Sequence, residues 1–179
     1  LYALDRDRLG VMHCAANHGH EHILEYIINT LDRTIIDSVD RNGDTSLFYA
    51  VTLGHYDCAR LLLLSGANVN HQDNYLRCAS HCAAAKGQLR LLKLLKHFGG
   101  SFEIQNRRGD LPIHEAIQAG AKDCVEYLLA LHPSAVDAAN HEGRTGLHLA
   151  AATGNMDMVI LLCTRNATIN PLMLYKVKQ

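Results

Sequence analysis

Five stretches of this chain lie over one another at a nearly constant offset, and that period governs what the chain can fold into. They are residues 11–20, 45–55, 79–88, 111–121 and 143–155, aligned on His13, Phe48, His81, His114 and His148. The successive spacings are 35, 33, 33 and 34 residues. Self-similarity at such a period marks stacked units, each too small to bury its own apolar face. A continuous core shared between neighbours therefore replaces a single central one. The 179 residues, 48% hydrophobic and 20% charged, have the balance of a globular domain.

Each unit reads as two short helices joined by glycine. In the first unit they span about 11–18 and 21–30, and Ile23, Leu24, Ile27 and Ile28 form one apolar stripe on the second. Extra residues fall within Leu31 to Ser38, in a connection that tolerates insertion. The second unit is the most regular. Asp40-Arg41-Asn42-Gly43-Asp44 is a turn sequence, and the Thr45 hydroxyl is placed to cap the next helix. Gly54 ends that helix, Cys58, Ala59, Leu62 and Leu63 point inward, and Gly66 supplies a left-handed cap.

The third unit departs most: Leu76 replaces the turn glycine, Cys78 the capping threonine and Ser80 the leucine before His81. Lys96 stands at an inward position, with its stem expected to pack and its ammonium to reach water. Three missing local signals predict the least stable unit. Arg8 and Asn166 also stand where other units have glycine. The fourth unit starts its first helix at Pro112, buries Cys124, Val125, Leu128 and Leu129, and has a longer loop at His132-Pro133-Ser134. In the fifth, Met158, Val159, Leu161 and Leu162 point inward.

The pattern Gly-x-Thr-x-Leu-His-x-Ala-Ala-x-x-Gly, complete from Gly143 to Gly154, together with Gly66-Ala67-Asn68-Val69-Asn70, resembles the ankyrin repeat. The resemblance covers about Asp5 to Asn170. It implies an all-α ankyrin-repeat solenoid of about five helix–turn–helix repeats with hairpin-like loops. Residues 1–179 then form a single domain, with repeats at about 5–39, 40–72, 73–105, 106–139 and 140–170. Residues 171–179 would be a truncated repeat or a capping tail. The chain opens at Leu1, partway into a repeat-like connection, and is expected to be a piece of a longer protein.

Composition and motifs argue against several function classes. A net charge of −1 disfavours nucleic acid or an anionic membrane as the main partner. No apolar run reaches the roughly 20 residues of a spanning helix. The six cysteines follow the period, Cys58 with Cys124 and Cys14 with Cys82, as small apolar fillers do. Disulfides are not expected, which points to a reducing, cytoplasmic or nuclear setting. His13, His81, His114 and His148 are explained as structural rings. His18 and His22 near Cys14, and Cys78 and Cys82 near His81, lack the tight pairing of a zinc site, so no metal is expected. Neither an activated nucleophile nor a phosphate-cradling glycine loop stands apart from the repeat, so neither catalysis nor a cofactor is expected.

The resemblance implies a non-catalytic interaction module, an adaptor or scaffold that binds a protein partner on the concave face made by hairpin tips and first helices. Mapped onto this sequence, the tips supply Asn42 and Asp44, Tyr75 and Arg77, Arg107, Arg108 and Asp110, then His141 and Arg144. The first helices supply Tyr49, Leu53, Lys86 and Gln118, with Tyr49 expected to project into the groove. Arg77, Lys86, Arg107 and Arg108 cluster mid-chain, which points to acidic residues on the partner. Asn70 lies in a Leu…Val-Asn context resembling sites of asparagine hydroxylation in ankyrin repeats. The alternative is the cytosolic ankyrin domain of a membrane protein such as an ion channel, serving assembly or gating.

Overall fold

The computed structural model of the chain describes residues 8–30 and 35–169. Parts of two expectations lie outside them: the insertion at 31–34 and the character of residues 171–179.

Ten α-helices are found among the described residues, in five antiparallel-reading pairs along the chain. They are α1 (Val11–Asn17) and α2 (Glu21–Thr30), α3 (Ser46–Thr52) and α4 (Tyr56–Leu64), and α5 (Ala79–Ala85) and α6 (Leu89–His97). They continue with α7 (Pro112–Gln118) and α8 (Lys122–Leu131), then α9 (Gly146–Ala152) and α10 (Met156–Thr164). The longer loop of the fourth repeat folds as a short 3-10 helix, Pro133–Asp137. The first members form one layer, α1 on α3 on α5 on α7 on α9. In the other layer α2 packs on α4, α4 on α6, and α6 on α8.

Helices of seven residues are too short to persist alone and are held by packing. Ala16, Ala50, Ala83, Ala116 and Ala150 are fully buried, and their small side chains let the first layer approach closely. Leu62, Leu95, Leu128 and Leu162 form a buried column through the second layer. Cys58 and Cys124 fill equivalent buried positions, as expected of apolar fillers. Two equivalences fail at the first repeat. Ile23 is 53% exposed although Cys58 at the same position is buried, and Cys14 is exposed although Cys82 is buried. A position on this repeat becomes interior only where another repeat covers it.

The three residues standing in for glycine take the glycine conformation. Arg8, Leu76 and Asn166 have φ of 63°, 59° and 64°, the only non-glycine residues with positive φ among those described. The third repeat repairs its other two departures. Cys78 Sγ lies 3.1 Å from His81 Nδ1, as Thr145 Oγ1 lies 3.0 Å from His148 Nδ1 in the fifth. Ser80 donates its hydroxyl to the Ser101 carbonyl at 2.9 Å. Lys96 stays exposed with its ammonium 5.9 Å from the Phe102 ring. The expected weakness of this repeat thus rests on Leu76.

Leu76→Gly should therefore stabilise the chain by about 1 kcal/mol, the strain of a left-handed non-glycine residue. Gly109→Ala at the equivalent turn should cost more than about 1 kcal/mol, because its added Cβ would lie 2.7 Å from the His141 backbone nitrogen. Urea unfolding of both variants checks the two signs.

Candidate functional site

Each of the four hairpin tips from Asp40 onward is built on one buried Asp or Asn. Asp40 Oδ1 accepts the backbone N–H groups of Asn42 and Asp44, both at 2.8 Å. Asp73 does the same for Tyr75 and Arg77, Asn106 for Arg108 and Asp110, and Asn140 for Glu142 and Arg144. The tips also bond to one another. Asn74 donates its N–H to the Asn42 carbonyl at 2.8 Å, Arg107 to Tyr75 at 2.9 Å, and His141 to Arg108 at 3.0 Å. The four organisers recur with the period, at 40, 73, 106 and 140. That recurrence is the signal by which they are legible.

The histidines lock each tip to the next. The His81 ring Nε2 bonds the Asp110 carbonyl at 3.0 Å, while Nδ1 accepts the Cys78 N–H. His114 bonds the Ala138 carbonyl at 2.9 Å and accepts the Leu111 N–H in the same way. Burial pushes both histidines below their ordinary value, so they remain neutral at pH 7.

Tyr75, Arg77, Asn106, Arg107, Arg108 and Glu115 line a cleft of about 340 Å³ between the third and fourth repeats. Tyr75 is half exposed, and the Arg77 and Arg107 guanidinium carbons lie 5.3 and 5.8 Å from its ring centroid. Arg77 is bound to Asp73 at 2.7 Å and lies over Phe48 as well. Arg108 contacts Asp110 at 2.9 Å and Glu115 at 3.3 Å. Arg107 donates to the Asn74 carbonyl at 2.7 Å. Among the described residues no carboxylate pairs with Arg107 or Lys86. The cationic cluster read from sequence is therefore half compensated: Arg77 and Arg108 are paired with Asp73, Asp110 and Glu115, while Arg107 and Lys86 are not. Glu115 and Asn106 were not among the expected site residues, since nothing local shows that they reach the cleft.

The other expected residues divide into surface and scaffold. Leu53, Gln118, Lys86, Asn42 and His141 are exposed along one edge. Arg144 is half-buried and bound to Glu142 at 2.6 Å. Asp110 is a correction: it is 1% exposed, accepts from Asn140 Nδ2 at 2.8 Å, and is unavailable to a partner. Tyr49 is also tied down, its hydroxyl donating to Asp40 Oδ2 at 2.8 Å and its ring packed edge-on against His13. Asn70 is a staple between repeats. Its Oδ1 accepts the Ser101 N–H at 2.8 Å and its Nδ2 donates to the Gly99 carbonyl at 3.2 Å. Asp37 and Asp137 hold Asn68 and Thr168 in the equivalent manner.

The thiols are poorly placed for nucleophilic chemistry. Burial pushes Cys82 up to about 12 and Cys124 up to about 11, which disfavours the reactive thiolate. All six cysteines are free. The His18 and His20 rings stack, with centroids 5.8 Å apart. Among the described residues no group of three or more His, Cys, Asp or Glu side chains is disposed to hold a metal ion, and no helix is long and apolar enough to cross a membrane.

Comparison with known proteins agrees with this architecture. The family described as "Ankyrin repeats (3 copies)" matches residues 2–73 and 80–172. The interval left out, 74–79, holds Leu76 and Cys78. The chain is 32% identical to Inversin of Mus musculus over 159 residues, covering 88% of this chain and 15% of that protein. It is 33% identical to Inversin of Canis lupus familiaris over the same length. It is 34% identical over 144 residues to Ankyrin repeat domain-containing protein 63 of Homo sapiens, covering 76% of this chain and 38% of the relative. The chain thus spans a minor part of the length of these relatives.

One tip residue has an electrostatic signature. Burial, with Asp40 and Asp73 nearby, pushes the Asp44 carboxyl up to about 6 from 3.8. The folded state thus favours its protonated form. Its contribution is fully present below pH 3.8 and is lost as pH rises through 6. Asp44→Asn should therefore unfold at higher urea than the wild type at pH 7.5, with the advantage shrinking as pH falls below 6. Urea midpoints measured across that range check the sign.

Proposed function

This chain belongs to the ankyrin-repeat family, and on that premise we propose that it is a non-catalytic adaptor or scaffold segment whose partner lies across the hairpin tips and first-layer helices. Ankyrin repeats are generic protein-interaction modules. The observation that carries the reading here is the cleft around Tyr75. An aromatic ring held between two arginines, half exposed on a hydrogen-bonded base, is the kind of anchor that dominates interface energetics. The tips are tied to one another by backbone bonds, so a partner meets a surface already ordered, and the entropy cost of binding is reduced.

The matching partner chemistry is a peptide or folded domain with acidic residues opposite Lys86 and Arg107. Asn42, Leu53, Gln118 and His141 extend the surface along the stack. Arg77 and Arg108 position the cleft through their own carboxylate contacts. Six free cysteines, four of them buried, suit a reducing compartment, and we propose the cytoplasm or nucleus as the setting.

Affinity capture with wild type against Tyr75→Ala with Arg107→Glu tests the site. Partners held by the wild type should be lost or weakened by about tenfold or more in the variant, while circular dichroism and urea midpoint stay unchanged. Partners retained at full affinity would overturn the assignment. We also assign Asn70 as a hydroxylation candidate. The added oxygen would sit beside an amide whose two hydrogen bonds it need not break. Intact mass of the protein from its native cells should show a species heavier by one oxygen, localised to Asn70 by fragmentation.

A further inference from the structure

The second helix layer carries a surface feature that the tip site does not use. A groove of about 480 Å³ lies between α4 and α6, lined by Tyr56, Arg60, Leu64, Arg90, Lys93 and Phe98 together with Leu94 and His97. Arg60, Arg90, Lys93 and His97 are exposed. Among the described residues none of these four pairs with a carboxylate. The groove lining itself contains no acid. The Arg90 guanidinium carbon is 4.6 Å from the Tyr56 ring centroid, which aims it across the groove. Leu64, 59% exposed, supplies an apolar rim.

Part of the charge on α6 suits the helix, since Lys96 and His97 stand in its last turn, but Arg90 does not. α2, α4, α8 and α10 carry Glu21, Asp57, Asp123 and Asp157 in their first turns. An acid there complements the helix dipole. α6 has no acid in its first turn, and Arg90 occupies the position aligned with Asp57, Asp123 and Asp157. A cation at that end opposes the dipole. Solubility would be served as well by an acid, which would also favour the helix. Within the structure Arg90 is met by the Tyr56 ring, and its charge stays open to a negative group from outside.

We propose that the α4–α6 groove is a second docking surface, for an acidic segment of a protein partner that also carries apolar side chains. Carboxylates pair with Arg60, Arg90 and Lys93, and an apolar side chain fills the space between Leu64 and Phe98. The concave, partly apolar lining favours a peptide. A nucleic acid or anionic bilayer calls for a broad basic face, whereas the chain as a whole carries a net charge of −1. This surface lies on the second helix layer, so it stands or falls independently of the Tyr75 cleft.

The test titrates the full 179-residue chain into a fluorescein-labelled peptide of alternating glutamate and leucine, with fluorescence anisotropy as the readout. Amide shift perturbation maps the contact. Saturable binding is expected, weakening as salt rises, with perturbations on α4 and α6. Arg90→Glu with Lys93→Glu should weaken it by about tenfold or more, whereas Arg165→Gln at the end of α10, which lines neither the groove nor the Tyr75 cleft, should leave it within about twofold. Arg90→Gln with Lys93→Gln, matched to wild type by circular dichroism, should give an intermediate loss and separates charge from folding. Absence of saturable binding would overturn the proposal. So would unchanged affinity on reversal, perturbations confined to other helices, or tighter binding to phosphatidylserine vesicles or single-stranded DNA than to the peptide.

Discussion

The hairpin tips depend on an acceptor that is not exposed: the side-chain oxygen of Asp40, Asp73, Asn106 or Asn140 at the base of each hairpin. All four residues are buried, and each oxygen holds two backbone N–H groups that would otherwise be orphaned beside the helices. A buried N–H without a partner costs about 1–3 kcal/mol, so the tips fold only around such an acceptor. Once a tip is folded, a backbone N–H of the next tip takes up one of its carbonyls, as Arg107 does for Tyr75, and the histidine ring of the preceding repeat takes up another, as His81 does for Asp110. Local turn chemistry thus becomes the interlock between repeats. The interlock also explains how Leu76 is held at a positive φ: the Asp73 and Arg77 bonds on either side close the turn whatever residue occupies it.

How much of this was legible in the sequence depends on how far away the deciding partner lies. The period, the helix pairs, the Thr45 cap and the buried column from Leu62 to Leu162 all follow from local pattern, and the structure shows them. Asp110 and Asp44 could not be told apart, because both follow a turn glycine in an exposed-looking loop. Asp110 is interior because Asn140, thirty residues on, donates to it. Tyr49 looked free to project, yet its hydroxyl reaches back nine residues to Asp40. Ile23 and Cys14 carry the interior residue types of their positions and are exposed, since burial in a stack belongs to the neighbour as much as to the residue.

Charge is arranged differently on the two layers. At the tips Arg77 and Arg108 are held by Asp73, Asp110 and Glu115, so their side chains are ordered and their fields partly cancelled. The carboxylates of Asp73 and Asp110 are interior, so their arginines also offset the cost of a buried charge. Their other effect is geometric: they fix the Tyr75 ring and the walls of the cleft. Along α6 the cations are uncompensated, and their field extends into solvent for about a Debye length, roughly 8 Å at physiological salt. A surface of the first kind discriminates by shape. One of the second kind gathers oppositely charged segments quickly and holds them loosely.

The core between the two surfaces determines how they relate. Leu62, Leu92 and Leu95 separate them, all fully buried in a close-packed interior. Coupling between sites needs an element with two arrangements that the two ligands weight differently. The first helices are interlocked, each tip bonded to the next, which favours one arrangement over any other. On the two proposals above, occupying the Tyr75 cleft would leave the α4–α6 groove as it was. On those proposals the stack would act through distance and orientation, presenting two chemically distinct faces at a fixed separation, and that is the physical content of calling it a scaffold.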